Sequence, residues 1–426
     1  MRHTNHIRSP TSGGQYHWVS QLAPARSAVV FSWTAGWVSI FARLSVCASG
    51  AFVVGELIQG LLIFNVNGYE PLNWHATMLY WTVLLVAMIV NILGIRVFPH
   101  IESAAFIFHI CFFFVLLVPL VYLTPQSSAQ FVFADFENAG GWESNGLSWC
   151  LGLLTSAWSF VGIDGTTHMN EEVKDAANVV PQSMVIALII SGILTMAFSI
   201  AILFGIGDIN LALETPTHYP IIQIFYTATG SKGATTAITC TLILTLVSTT
   251  FGLLACASRL AWAFARDKGL PFPNYFAHVS KYYRIPVRSI VLITFIACLL
   301  GLINIASSTA FNALTSLALI GHYSSYLLPI GLMAVRRFGK KEIPWGPWTL
   351  GRWGLPINLV SIACSIVLIV FAVFPPFQPV SATTMNYAGV IFGAVMLLCT
   401  MMWFAYGRKV YWGPIREVME EGHMKK

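Results

Sequence analysis

Ser159 to Pro181 reads SFVGIDGTTHMNEEVKDAANVVP, an apolar helix end that turns abruptly into glycine, an acid and paired threonines. The apolar run before it places that turn at mid-bilayer depth. Lipid offers no hydrogen-bond partners, so backbone at Gly162, Ile163, Asp164 and Gly165 can unwind there only where protein, a water-filled cavity or a bound solute takes its N–H and C=O groups. Membrane carriers place their solutes at breaks of this kind.

The rest of the chain fits that setting. Its 426 residues are 56% hydrophobic and only 9% charged, with a mean hydropathy of +0.72, which excludes an ordinary soluble domain. Spans of roughly 20 mostly apolar residues are expected at about 34–63, 76–94, 102–123, 148–173 (broken), 184–206, 233–263, 287–305, 308–335, 355–374 and 383–406. The expected fold is an all-α, polytopic transmembrane helix bundle forming one domain over residues 1–426. Residues 1–33 are polar and mixed, so the first span is expected to do the targeting.

Orientation follows from Lys and Arg. Alternate loops, at about 64–75, 124–147, 207–232, 306–307 and 375–382, carry one basic residue, Lys232, of the 23 in the chain. With Arg43 and Arg259 inside spans, the remaining 20, counting Arg288 at the edge of its span, fall on the other side, which predicts cytosolic termini. The net charge of +6 is the same bias in bulk and asks for no nucleic-acid partner. Eight cysteines lie singly in or beside apolar spans, without CxxC or metal-ligand spacing, and read as packing residues. No cofactor or metal is called for, and neither HExxH nor a nucleophile elbow suggests an enzyme.

Each candidate residue has two readings. Asp164 either faces a solute cavity, as intramembrane carboxylates tend to, or caps a half-helix beginning near Thr166. Gly162 and Gly165 supply the freedom that a mid-span turn needs. Phe160, just before the break with Trp158, is either an aromatic gate able to hold a quaternary ammonium or ordinary packing. Thr166, Thr167 and His168 open the second half of the helix, where free N–H groups favour an anion. Glu171, Glu172, Lys174 and Asp175 read as a solvated helix end or an inner-gate charge cluster. Arg43, thirteen residues from Glu56 on one span, cannot neutralise it and either meets a substrate carboxylate or snorkels to the inner surface. Ser248, Thr249 and Thr250 read as hydroxyls bonded within their own helix. His109 and His322 are core histidines bonded to a carbonyl or hydroxyl, or groups that titrate near neutral pH.

Four stretches carry a family resemblance: Pro10 to Pro24 (PTSGGQYHWVSQLAP), Phe160 to Ala176 (FVGIDGTTHMNEEVKDA), Ala261 to Phe272 (AWAFARDKGLPF) and Leu350 to Asn358 (LGRWGLPIN). In order and spacing they resemble the fungal amino acid/choline permeases, which include GABA and choline importers, of the amino acid, polyamine and organocation superfamily. The resemblance implies a twelve-span, five-plus-five inverted repeat with broken first and sixth helices. It places PTSGGQYHW after the second span, so this chain is expected to lack the first two helices, one of which carries half of the substrate site. It also implies a substrate site at Phe160, Gly162, Ile163, Asp164, Gly165 and Thr166. His109 stands where proton-coupled relatives carry a cation-replacing lysine, and so becomes the proton-coupling candidate. The function implied is alternating-access transport of an amino acid, GABA or a choline-like amine with a proton, in the plasma membrane or an internal one. A non-transporting remnant or solute sensor is the alternative.

Overall fold

The computed structural model describes residues 11–94, 96–306, 308–340, 343, 349–382 and 384–414. Pro10, Lys341, residues 344–348 of the Trp-rich loop and the tail beyond Pro414 lie outside them. The described residues are helical, without strands. In order they form α1 (Gln15–Leu22), α2 (Ala28–Asn65), α3 (Asn73–Leu93), α4 (Phe98–Tyr122), α5 (Ala129–Phe133), α6 (Asn145–Trp158), a 3-10 segment (Ile163–Glu172) and α7 (Ala176–Gly205). Then come α8 (Ile209–Leu213), α9 (Pro220–Thr229), α10 (Lys232–Arg266), α11 (Pro273–Phe276), α12 (Val287–Ala306), α13 (Ser308–Phe338), α14 (Gly354–Phe371) and α15 (Ala388–Met402). Ten segments are long and apolar enough to cross a membrane, and the broken one, Asn145–Glu172, is the fourth. These are the ten expected from hydropathy. The largest difference at a boundary is α7, which begins at Ala176 rather than near 184 and runs through Pro181.

The core gathers around α2, which packs against α1, α3, α10, α12 and α13. Its Ser, Ala and Gly residues let neighbouring backbones approach, as small residues do in membrane bundles. At Gly55 a Cβ would come within 2.9 Å of the Tyr80 backbone nitrogen on α3. By contrast, α4 and α7 expose Phe106, Ile107, Phe108, Ile186 and Ile189. Such faces would be aggregation sites in water and are ordinary in lipid. The chain is a multi-pass membrane protein.

Sequence periodicity did not announce α1, which is short and partly polar. Tertiary bonds fix it: the Tyr16 hydroxyl donates to Asp267 Oδ2 at 2.7 Å, and Ser32 Oγ donates to the Tyr16 carbonyl at 2.9 Å. Arg336 of α13 donates to the carbonyls of Leu22 and Gln21 at 2.7 and 2.8 Å, satisfying orphan groups at the helix end. Burial and the facing Asp267 carboxylate push the Tyr16 phenol above its ordinary pKa.

Candidate functional site

The break is built by Gly162. Its φ of 98° lies in the left-handed region that a side chain disfavours, so the chain can leave α6 and re-enter as the 3-10 segment. A 3-10 run of ten residues is long for that geometry and marks a place where regular helix has been given up.

Asp164 lies at the start of that segment, 1% exposed. Its Oδ2 accepts from Gln15 Nε2 at 2.7 Å and forms an ion pair with the Arg43 guanidinium of α2. Thr167 Oγ1 donates to the Asp164 carbonyl at 2.7 Å. His168 Nδ1 lies 3.1 Å from the Ser12 carbonyl, which can only accept, so that nitrogen carries the proton. His168 Nε2 faces Asp164 Oδ2 at 3.9 Å. Asp164 Oδ1, Arg43 Nη1 and His168 Nε2 are buried without a hydrogen-bond partner among the described residues. Unsatisfied polar atoms in a core are costly and mark where a ligand or water belongs.

A cavity of about 410 Å³ opens at Asp164, lined by Phe160, Ile163, Asp164, His322, Tyr323 and Tyr326 and walled by apolar residues of α7 and by two serines and a cysteine of α14. The structure therefore brings Phe160, Ile163 and Asp164 to one space, with Gly162 making the turn. Gly165 packs against α10: the Cys256 thiol donates to its carbonyl at 3.4 Å, and a Cβ there would meet Sγ at 3.0 Å. Thr166 is exposed and outside the cavity lining.

Two readings of these residues change. Asp164 is not a cap: Gly162 holds the cap position with no side-chain capping bond, and the carboxylate faces Arg43 and Gln15 instead. Arg43 does not snorkel; it is 4% exposed because Asp164 offers it a charge at depth. Gln15 and Tyr326 escaped notice as site residues. A polar side chain in the PTSGGQYHW stretch was the available signal for Gln15, whereas Tyr326 gave none.

His109 lies on α4, with Nδ1 2.7 Å from the Ala105 carbonyl and Nε2 3.2 Å from Thr249 Oγ1 on α10. Ser248, Thr249 and Thr250 donate to carbonyls of their own helix, as expected of membrane hydroxyls. The acidic run forms ion pairs. Glu171 takes both Arg266 Nη atoms at 3.0 and 3.1 Å and accepts from the Ser12 amide, while Glu172 pairs with Arg259.

A buried ion pair at a helix break, beside a cavity in an all-helical membrane bundle, is the arrangement of a solute carrier. A family model described as amino acid permease matches residues 7–397, and the chain belongs to that family. It is 32% identical to a Macrophomina phaseolina protein that is named for amino acid/polyamine transport, over 89% of this chain and 84% of that one. It is 30% identical to the amino-acid permease BAT1 of Arabidopsis thaliana over 96% of this chain and 82% of the relative. A choline transporter of Saccharomyces cerevisiae is 28% identical over 94% of this chain and 71% of its own length. The chain is thus a transporter for amino acids or organic cations, not an enzyme.

Proposed function

We propose that the chain moves a small zwitterion of the amino acid or GABA kind by alternating access, through a site at Phe160, Gly162, Ile163, Asp164 and Gly165. The observation that carries this reading is the Arg43–Asp164 pair: Asp164 lines the cavity, and Arg43 Nη1 and Asp164 Oδ1 are buried without a hydrogen-bond partner among the described residues. A zwitterion offers a carboxylate to one and an ammonium to the other and leaves the charge balance unchanged. A monocation would leave Arg43 uncompensated in a medium where that is expensive.

Choline is the second reading, supported by the aromatic lining of Phe160, Tyr323 and Tyr326 and by the relative named a choline transporter. Quaternary ammonium groups are held by such rings. Thr166, exposed in this structure, would take part only in another conformation of the carrier. His109 is the proposed proton-coupling group, because its ring joins α4 to α10 through Thr249 Oγ1. Cytosolic termini, one domain throughout and a plasma-membrane location complete the proposal.

The test is uptake of labelled GABA, a neutral amino acid and choline by cells lacking their own carriers. Saturable uptake of the zwitterions well above that of choline is expected. Preference for choline overturns the zwitterion reading. Absence of both uptake and binding favours a non-transporting role for this chain.

A further inference from the structure

A second cavity, of about 930 Å³, lies away from the break between the α3–α4 connection and the turn before α12. Leu93, Arg96, Glu172, Lys281, Arg284 and Ile285 line it, together with Tyr282 and Tyr283. Glu172 is its one acid, and both of its oxygens are taken by Arg259. Among the described residues no carboxylate pairs with Arg96, Lys281 or Arg284. Three uncompensated cations therefore converge on one space.

The three side chains are exposed, but the backbone that carries Lys281 and Arg284 is fixed. Ser280 N donates to the Ile285 carbonyl at 3.0 Å and Arg284 N donates back to the Ser280 carbonyl at 2.8 Å, closing a tight turn that holds Lys281 and Arg284. Arg284 has a φ of 58°, a left-handed conformation that costs energy for a residue with a side chain. Ile285 anchors the turn in the core, and Ser289 Oγ and Trp262 Nε1 tie the preceding segment down through the carbonyls of Phe276 and Ala277. Tyr282, 78% exposed, projects beside the cations, as aromatic residues do at the level of lipid headgroups. The turn lies next to the start of α12 and the end of α3, at the rim of the bundle that carries most of the basic residues.

We propose that this cavity binds the headgroup of a multiply phosphorylated anionic lipid of the adjoining leaflet. Arginine forks match phosphate oxygens in pairs, three cations exceed what one phosphate monoester neutralises, and basic pockets at helix ends suit such headgroups. The volume falls in the range of small-molecule sites. A phosphate beside Glu172 would bear on its pair with Arg259, linking occupancy to the inner end of the broken helix.

The full chain, purified and reconstituted in phosphatidylcholine vesicles, is titrated with a fluorescent bisphosphorylated phosphoinositide. Affinity is expected to fall about fivefold for each of Arg96→Gln, Lys281→Gln and Arg284→Gln, and roughly a hundredfold for all three. A charge-matched control, Lys268→Gln with Arg408→Gln and Lys409→Gln, should bind like the parent, with unchanged melting temperature in both triple variants. Equal binding by the pocket triple variant overturns the site. Equal competition by phosphatidylserine overturns its specificity for multiple phosphates. Equal displacement by soluble inositol hexakisphosphate assigns the cavity to a free polyphosphate and overturns the lipid source.

Discussion

Neutralising Asp164 leaves Arg43 buried with no charge opposite, and neutralising Arg43 strands Asp164 in the same way. Either Asp164→Asn or Arg43→Gln is expected to cost about 3–5 kcal/mol, with the double variant recovering most of it. Thermal unfolding in detergent reads this, and simple additivity would show that the two do not act as a pair. Asp164→Asn should also weaken a cationic substrate more than a zwitterion, because one charge is lost while the amide still bonds Gln15. Gly165→Leu should abolish uptake with surface expression intact, since even a Cβ there meets Cys256 Sγ at 3.0 Å. Normal transport by both variants would remove the substrate site from this break. Glycine and an acid inside an apolar run made the break legible from sequence. The partners of Asp164 were not, because Gln15 is 149 residues away and only the folded backbone brings it near. Hydropathy reports depth, and it carries no information on which helix supplies the opposite charge.

At the scale of elements, hydropathy located all ten spans because the surrounding lipid, not a neighbour's shape, selects them. It missed α1, whose eight residues are held by Tyr16, Leu22 and bonds from distant helices. Tyr16→Phe strips the Asp267 carboxylate of a hydrogen bond and should lower stability by about 1.5–3 kcal/mol. An unchanged melting temperature would mean that α1 is not anchored there. The contact of α4 with α10 through His109 and Thr249 carries a functional expectation instead. His109→Leu should flatten the pH dependence of uptake while the protein still reaches the membrane, because the proposed proton-coupling side chain is gone and the volume is nearly kept. A preserved pH profile would leave His109 a packing residue bonded to Ala105 and Thr249.

For the whole molecule, the single basic residue among the alternate loops predicts which rim faces outward. A glycosylation acceptor engineered near Ala139 should be modified and one near Lys340 should not; the reverse pattern would invert the molecule. The length of α2 adds a constraint of its own. At 1.5 Å per residue, its 38 residues reach about 57 Å, against a hydrocarbon layer of about 30 Å. Lying wholly within that layer would take a lean of about 60°, beyond the roughly 40° that membrane helices adopt. The rod that carries Arg43 must therefore stand out of the oil at one end or both, like a mast through a deck, so the height at which the bilayer grips it is free to change while its ends stay wet. The depth of the guanidinium is then fixed by the bundle, and stretching or thinning the bilayer should move the lipid along α2 without lifting Arg43 away from Asp164.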